Sequence, residues 1–142
     1  FLWIWVSRVM PEYRLPIRIY IEDTDAGGIV YYVNYLKYFE RARTELIRSL
    51  GVDKTAVMED GSVFVVISAA IDYHAPARLD DQLEAVAEVV SSGAATIDFR
   101  QSVVRLGTEL ASGQVRVALT DGTSGKPKRM PKGLRELLTQ ST

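Results

Sequence analysis

The run Asp23-Thr24-Asp25-Ala26-Gly27-Gly28 places two carboxylates and two glycines within one short stretch. Aspartate and glycine close turns through Asx hydrogen bonds and positive φ, so the run is first of all a turn. Its setting adds a chemical reading. It lies between the end of a strand and the start of the best helix, where unpaired N–H groups and partial positive charge stabilise an anion. Residues without side chains let a substrate approach that backbone. A carboxylate there can attack an acyl group or activate water while helix amides hold the oxyanion. The other candidates carry plainer readings. Asp23 suits a structural turn, and Glu40 an ion pair with Lys37 or a neighbour. The single histidine, His74, precedes Ala75-Pro76 at a strand break and suits a structural hydrogen bond. Tyr31, Tyr32, Tyr35 and Tyr38 recur near helical spacing, which favours core over an acyl pocket.

The elements that must position these groups follow from periodicity. Residues 17–21 read as a strand with Arg18, Tyr20 and Glu22 on its second face. After the turn cluster and the apolar residues 29–33, Asn34 is the expected helix N-cap. Tyr35, Phe39, Ala42, Leu46 and Leu50 form one apolar stripe, with Arg41 and Glu45 as an i,i+4 pair and Gly51 as the stop. Residues 63–73, 83–90, 96–104 and 115–120 read as strands. The breaks at Leu79-Asp80-Asp81, Ser91-Ser92-Gly93 and Leu106-Gly107-Thr108 have hairpin length and imply an antiparallel sheet. Pro131 opens a short helix carrying Leu134, Leu137 and Leu138. The expected class is α+β, one long helix covering one face of a five-stranded sheet. The alternating strands leave the other face to solvent or a partner subunit.

Composition excludes several functions. A net charge of −1 without a basic stripe argues against a nucleic-acid partner. The absence of cysteine rules out disulfides and thiol catalysis, and one histidine leaves a zinc site short of ligands. No apolar run approaches the ~20 residues of a membrane span. Residues 1–6 are strongly apolar and contain both tryptophans, and residues 1–9 precede Met10. They are expected to be a processed, vector-derived or misassigned extension, which mass spectrometry of protein from the native gene would test. Residues 1–15 are thus read as an extension and residues 16–138 as one domain.

The run from Ile19 to Tyr31, then Asn34-Tyr35 and Glu40-Arg41-Ala42-Arg43-Thr44-Glu45, resembles the hotdog thioesterase signature. Within it the chain most resembles the YbgC-type acyl-CoA thioesterases, relatives of 4-hydroxybenzoyl-CoA thioesterase. The block Asp72-Tyr73-His74-Ala75-Pro76-Ala77-Arg78-Leu79-Asp80-Asp81 agrees, as does the tail Lys126-Pro127-Lys128 with Met130-Pro131. The resemblance implies a hotdog fold, its sheet wrapped around the long central helix. It also implies hydrolysis of an acyl-CoA without metal or other cofactor, with Asp25 as nucleophile or general base. The backbone N–H at Tyr32 would polarise the thioester carbonyl. YbgC-type members commonly carry His there and the hydroxybenzoyl-CoA relatives Tyr; a backbone role survives that change. Gly27, Gly28, Val30, Tyr31 and Tyr35 are the expected substrate contacts. The turn that holds coenzyme A phosphates in hydroxybenzoyl-CoA relatives has no basic residue here, so Lys126, Lys128 and Arg129 are expected instead. The resemblance further implies a cytoplasmic dimer of dimers with active sites at the dimer interface, and admits acyl carrier protein as donor. The alternatives are a non-catalytic acyl-thioester-binding or scaffold protein, and a hotdog enoyl-thioester hydratase.

Overall fold

The computed structural model describes residues 10–52 and 58–139, so the tryptophan-containing segment lies outside the described residues. The chain runs β1 (Glu12–Arg18), a single 3-10 turn (Ile21–Asp23), α1 (Asn34–Ser49), β2 (Ser62–Tyr73), β3 (Gln82–Ser92), β4 (Thr96–Arg105), β5 (Thr108–Asp121) and α2 (Lys132–Thr139). The sheet is antiparallel with order β1-β3-β4-β5-β2. α1 packs on β1, β3 and β4, and α2 on β3. This is the hotdog arrangement expected.

The core forms where the apolar stripe of α1 meets the inner face of the sheet. Tyr38, Phe39, Ala42 and Leu46 are sealed against Ala85, Ala87 and Val89 of β3 and Ile97, Phe99 and Val103 of β4. Ala85 and Ala87 have almost no side chain, which lets the helix lie close to β3. One polar link crosses this layer. Buried Gln101 donates from Nε2 to the Phe39 carbonyl at 2.8 Å and accepts from Arg43 at 2.9 Å.

Several local expectations are corrected. The first strand is Glu12–Arg18, so it begins ahead of residue 16, and the chain then turns at Ile21–Asp23 because the Asp23 carboxylate accepts the Tyr20 N–H at 2.8 Å. Asn34 is the first residue of α1 rather than its cap, and its side chain donates to the Asp23 carbonyl at 2.8 Å. Glu45 pairs with Arg48, while Arg41 lies over the Tyr38 ring. Residues 79–81 are no hairpin, since β2 pairs with β5 at one edge and β3 with β1 at the other. The connection instead crosses the end of the sheet, bonding to the aspartate-glycine loop on the way.

The two edges of the sheet differ. β1 presents Glu12, Arg14, Pro16 and Arg18 as exposed residues. β2 presents the apolar run Val65, Val66 and Ile67 at 42–53% exposure, with a register shift between Val66 and Ser68.

Candidate active site

The aspartate-glycine cluster is a closed loop. Thr24 and Val30 bridge its neck, the Asp25 N–H donates to the Ile29 carbonyl at 2.9 Å, and the Gly28 N–H donates to the Asp25 carbonyl at 3.1 Å. Gly28 has φ +78°, a conformation that glycine reaches without a Cβ penalty. Asp25 is exposed, and its Oδ1 accepts the Gly27 N–H at 2.8 Å in an Asx turn. A Cβ at Gly27 would sit 3.3 Å from that oxygen and crowd it. Oδ2 has no partner among the described residues.

Asp23 does the structural work expected of it. Besides capping Tyr20, its carbonyl accepts the Tyr31 N–H at 3.0 Å and the Asn34 amide at 2.8 Å, tying the loop to the start of α1. Burial raises the phenol pKa of Tyr38 behind it, and the Asp23 carboxylate adds to that shift, although no hydrogen bond reaches the hydroxyl. The loop is anchored from the other side by residues 74–81. The Val30 N–H donates to the Ala77 carbonyl at 2.8 Å, and the Ala77 N–H donates to the Tyr35 hydroxyl at 3.1 Å.

The entry to α1 leaves two amides open. The Tyr31 carbonyl accepts the Asn34 N–H at 2.9 Å, making Tyr32 and Val33 the central residues of a turn. Neither the Tyr32 N–H nor the Val33 N–H meets an acceptor among the described residues. The Tyr32 carbonyl accepts the Tyr73 hydroxyl at 3.0 Å from the end of β2. Tyr31 and Tyr32, exposed by 47% and 59%, stand edge to face at 5.1 Å beside these amides.

The structure therefore gathers Asp25, Gly27, Gly28, Tyr31 and Tyr32 in one loop and helix entry. Val30 and Tyr35, expected at the substrate, are each 3% exposed and belong to the core beneath it. Lys126, Lys128 and Arg129 are not brought to Asp25 within one chain. The Lys128 N–H donates to the Leu119 carbonyl and the Met130 N–H to the Ala94 carbonyl, which puts the tail beside the β3–β4 turn, at the end of the sheet away from the loop. Lys128 also pairs with Asp60 at 2.9 Å. His74 Nε2 lies 2.8 Å from Ser112 Oγ, outside the loop. Tyr73 was not a sequence candidate: at the end of the apolar, β-branched run 63–73 nothing in its spacing separates it from a packing residue. Among the described residues, no group of three or more His, Asp or Glu could hold a metal.

Comparison with known proteins agrees with this fold. The profile of the thioesterase-like superfamily matches residues 19–138. The acyl-CoA thioester hydrolase YbgC of Escherichia coli O6:H1 is 41% identical over 123 residues, covering 86% of this chain and 92% of the relative. The acyl-CoA thioesterase YbgC of Haemophilus influenzae is 43% identical over 124 residues, covering 87% and 91%. Among solved structures, a probable thioesterase from Bartonella henselae superposes with a TM-score of 0.78 at 31% identity, covering 84% of this chain and 99% of that one.

Proposed function

Since the chain belongs to the thioesterase-like superfamily, beside the YbgC-type enzymes, we propose that it hydrolyses an acyl-CoA to a carboxylic acid and free coenzyme A. The observation that carries this reading is the pairing of a carboxylate with one free oxygen, Asp25, and an open backbone amide, Tyr32, at the two ends of one short loop. The thioester carbonyl sits on the Tyr32 N–H, which stabilises the charge developing on its oxygen. Asp25 then acts through Oδ2. As a nucleophile it attacks the carbonyl carbon, expels the coenzyme A thiolate and leaves an acyl-aspartyl anhydride that water hydrolyses. As a base it takes a proton from water, and the hydroxide makes the same attack. Either route consumes only water and requires no metal or redox cofactor. A single turnover in ¹⁸O-water tests the nucleophilic route: label enters the Asp25 carboxylate only when an anhydride forms and water attacks its aspartyl carbonyl, whereas attack at the substrate carbonyl labels the product acid on either route.

The substrate's phosphates need cations, and within one chain Lys126, Lys128 and Arg129 lie away from Asp25. They serve the proposed reaction from a second subunit, in the dimer of dimers that the apolar β2 edge supports. A cytoplasmic location follows from the acyl-CoA substrate, and acyl carrier protein remains a donor to be compared with coenzyme A. The test is free-thiol release from acetyl- through palmitoyl-CoA, with benzoyl- and malonyl-CoA included. Hydrolysis of some member by wild type, lost in Asp25→Asn with binding intact, supports the proposal. A wild type that cleaves none, or an Asp25→Asn that cleaves as fast, overturns it.

A further inference from the structure

We propose that Tyr73 is a positioning residue for the reaction, fixing the Tyr32–Val33 peptide so that its open Val33 N–H stands beside the Tyr32 N–H toward the thioester oxygen. The inference rests on the proposed function above and extends it to a residue on a different element. Two peptide planes meet at Tyr32, and the carbonyl of each is tied. The Tyr31 carbonyl takes the Asn34 N–H at 2.9 Å, a bond internal to the helix entry. The Tyr32 carbonyl takes the Tyr73 hydroxyl at 3.0 Å, a bond that spans 41 residues of sequence. With both carbonyls held, the Tyr32 and Val33 N–H groups have fixed directions and no acceptor among the described residues. That is what a preorganised oxyanion donor requires, since a donor that must reorient during the reaction gives up much of its benefit. Without the Tyr73 bond, the Tyr32–Val33 peptide is held by the turn alone.

The Tyr73 ring is itself fixed. It packs edge to face on Tyr32 at 6.1 Å and on Tyr35 at 5.3 Å, and Tyr35 is core. Burial and the neighbouring phenols Tyr32 and Tyr35 raise its pKa, so the hydroxyl stays protonated and a donor across the neutral range. Accepting at the Tyr32 carbonyl also polarises that peptide and strengthens the Val33 N–H as a donor. Tyr73 touches no reacting atom; it acts through the Tyr32–Val33 peptide.

The test is Tyr73→Phe, which keeps the ring and removes the hydroxyl, assayed beside wild type and Asp25→Asn on the acyl-CoA that wild type cleaves fastest. The expected result is a fall in kcat of about tenfold, the worth of one hydrogen bond, with KM and melting temperature unchanged. A lost packing contact alone would lower the melting temperature and leave this split unseen. A second measurement does not depend on turnover: the backbone ¹⁵N resonance of Val33 should shift in Tyr73→Phe, because the hydrogen bond is on that peptide's carbonyl. A Tyr73→Phe enzyme with wild-type kcat, or with an unmoved Val33 resonance, overturns the inference while Asp25→Asn still reports on the thioesterase reading. A wild type that cleaves no thioester overturns both.

Discussion

Asp25 has one oxygen engaged by the Gly27 N–H and the other open, and this division makes sharp predictions at single residues. Asp25→Asn keeps the size of the side chain and loses the charge. Thiol release should fall by about 10²-fold or more, the usual worth of a positioned acid-base group, with little change in melting temperature. An Asp25→Asn rate within a few-fold of wild type would exclude the carboxylate. Gly28 tests the loop rather than the chemistry. At φ +78° it has open space around it, so Gly28→Ala should cost only backbone strain, about 1–2 kcal/mol in chemical denaturation. No loss would mean that the turn relaxes freely. The motif from Asp23 to Gly28 was legible as a candidate site because its residue types are confined to a few residues of sequence. Val30 and Tyr35, expected as substrate contacts, are buried, because spacing does not say which face of the helix entry turns inward, and the pairing with Ala77 decides that. Tyr73 was invisible for the same reason, its partner being distant in sequence.

Elements hold this loop in place, and the link between α1 and β4 is the one most open to test. Gln101 is fully buried and bonds both the Phe39 carbonyl and the half-buried Arg43 guanidinium. Burial lowers the Arg43 pKa, so its charge is carried at a cost that the amide offsets. Gln101→Leu should therefore destabilise by about 2–3 kcal/mol, the range for leaving a hydrogen-bonded charged group unsatisfied. Adding Arg43→Met should restore part of that, and strictly additive losses would deny the coupling. Among the described residues four carboxylates, Asp60, Asp81, Asp98 and Asp121, are held below the usual carboxylate range and contribute acid sensitivity, two of them on β4 and β5. Asp98 is held below the usual carboxylate range first by its hydrogen bond from Arg116, and Asp121 by the N–H groups of Ser124 and Thr123. A lowered carboxyl pKa contributes stability above the unfolded value, near 4, and loses it as pH falls through the folded value. Stability should be level from neutral pH to about pH 5 and fall below it, with a shallower fall in Asp98→Asn. An acid slope unchanged by that variant would place the sensitivity elsewhere. Periodicity located α1, β3 and β4 well, since each buries one face, but it gave only residues 115–120 of β5, which begins at Thr108. It placed the first strand too late, because the apolar residues at 19 and 21 continue past the point where Asp23 caps the turn. It also joined β2 to β3, since hairpin length alone does not reveal that a segment crosses the sheet.

At the scale of the whole molecule, the proposal places the phosphate contacts on a second subunit, and the β2 edge is where that sharing is tested. Ile67→Lys places a charge in the exposed apolar run. Association measured by sedimentation should weaken by at least about tenfold, with activity falling in step. A wild type that stays monomeric at every concentration would remove the edge from consideration. The sequence signalled a sheet needing cover, but could not say which strand lay outermost, because strand order is set by the crossover at residues 74–81. The contrast between the edges also fixes where assembly by strand addition stops. If two copies join β2 to β2 about a two-fold axis, the only apolar rim is consumed, and the rims left outside are both β1, bearing Glu12, Arg14, Pro16 and Arg18. Proline offers no N–H to a new strand and the charges repel an apolar one. Growth by strand addition therefore ends at a pair, and a chain that is apolar along one border is protected from fibre formation by the character of the other.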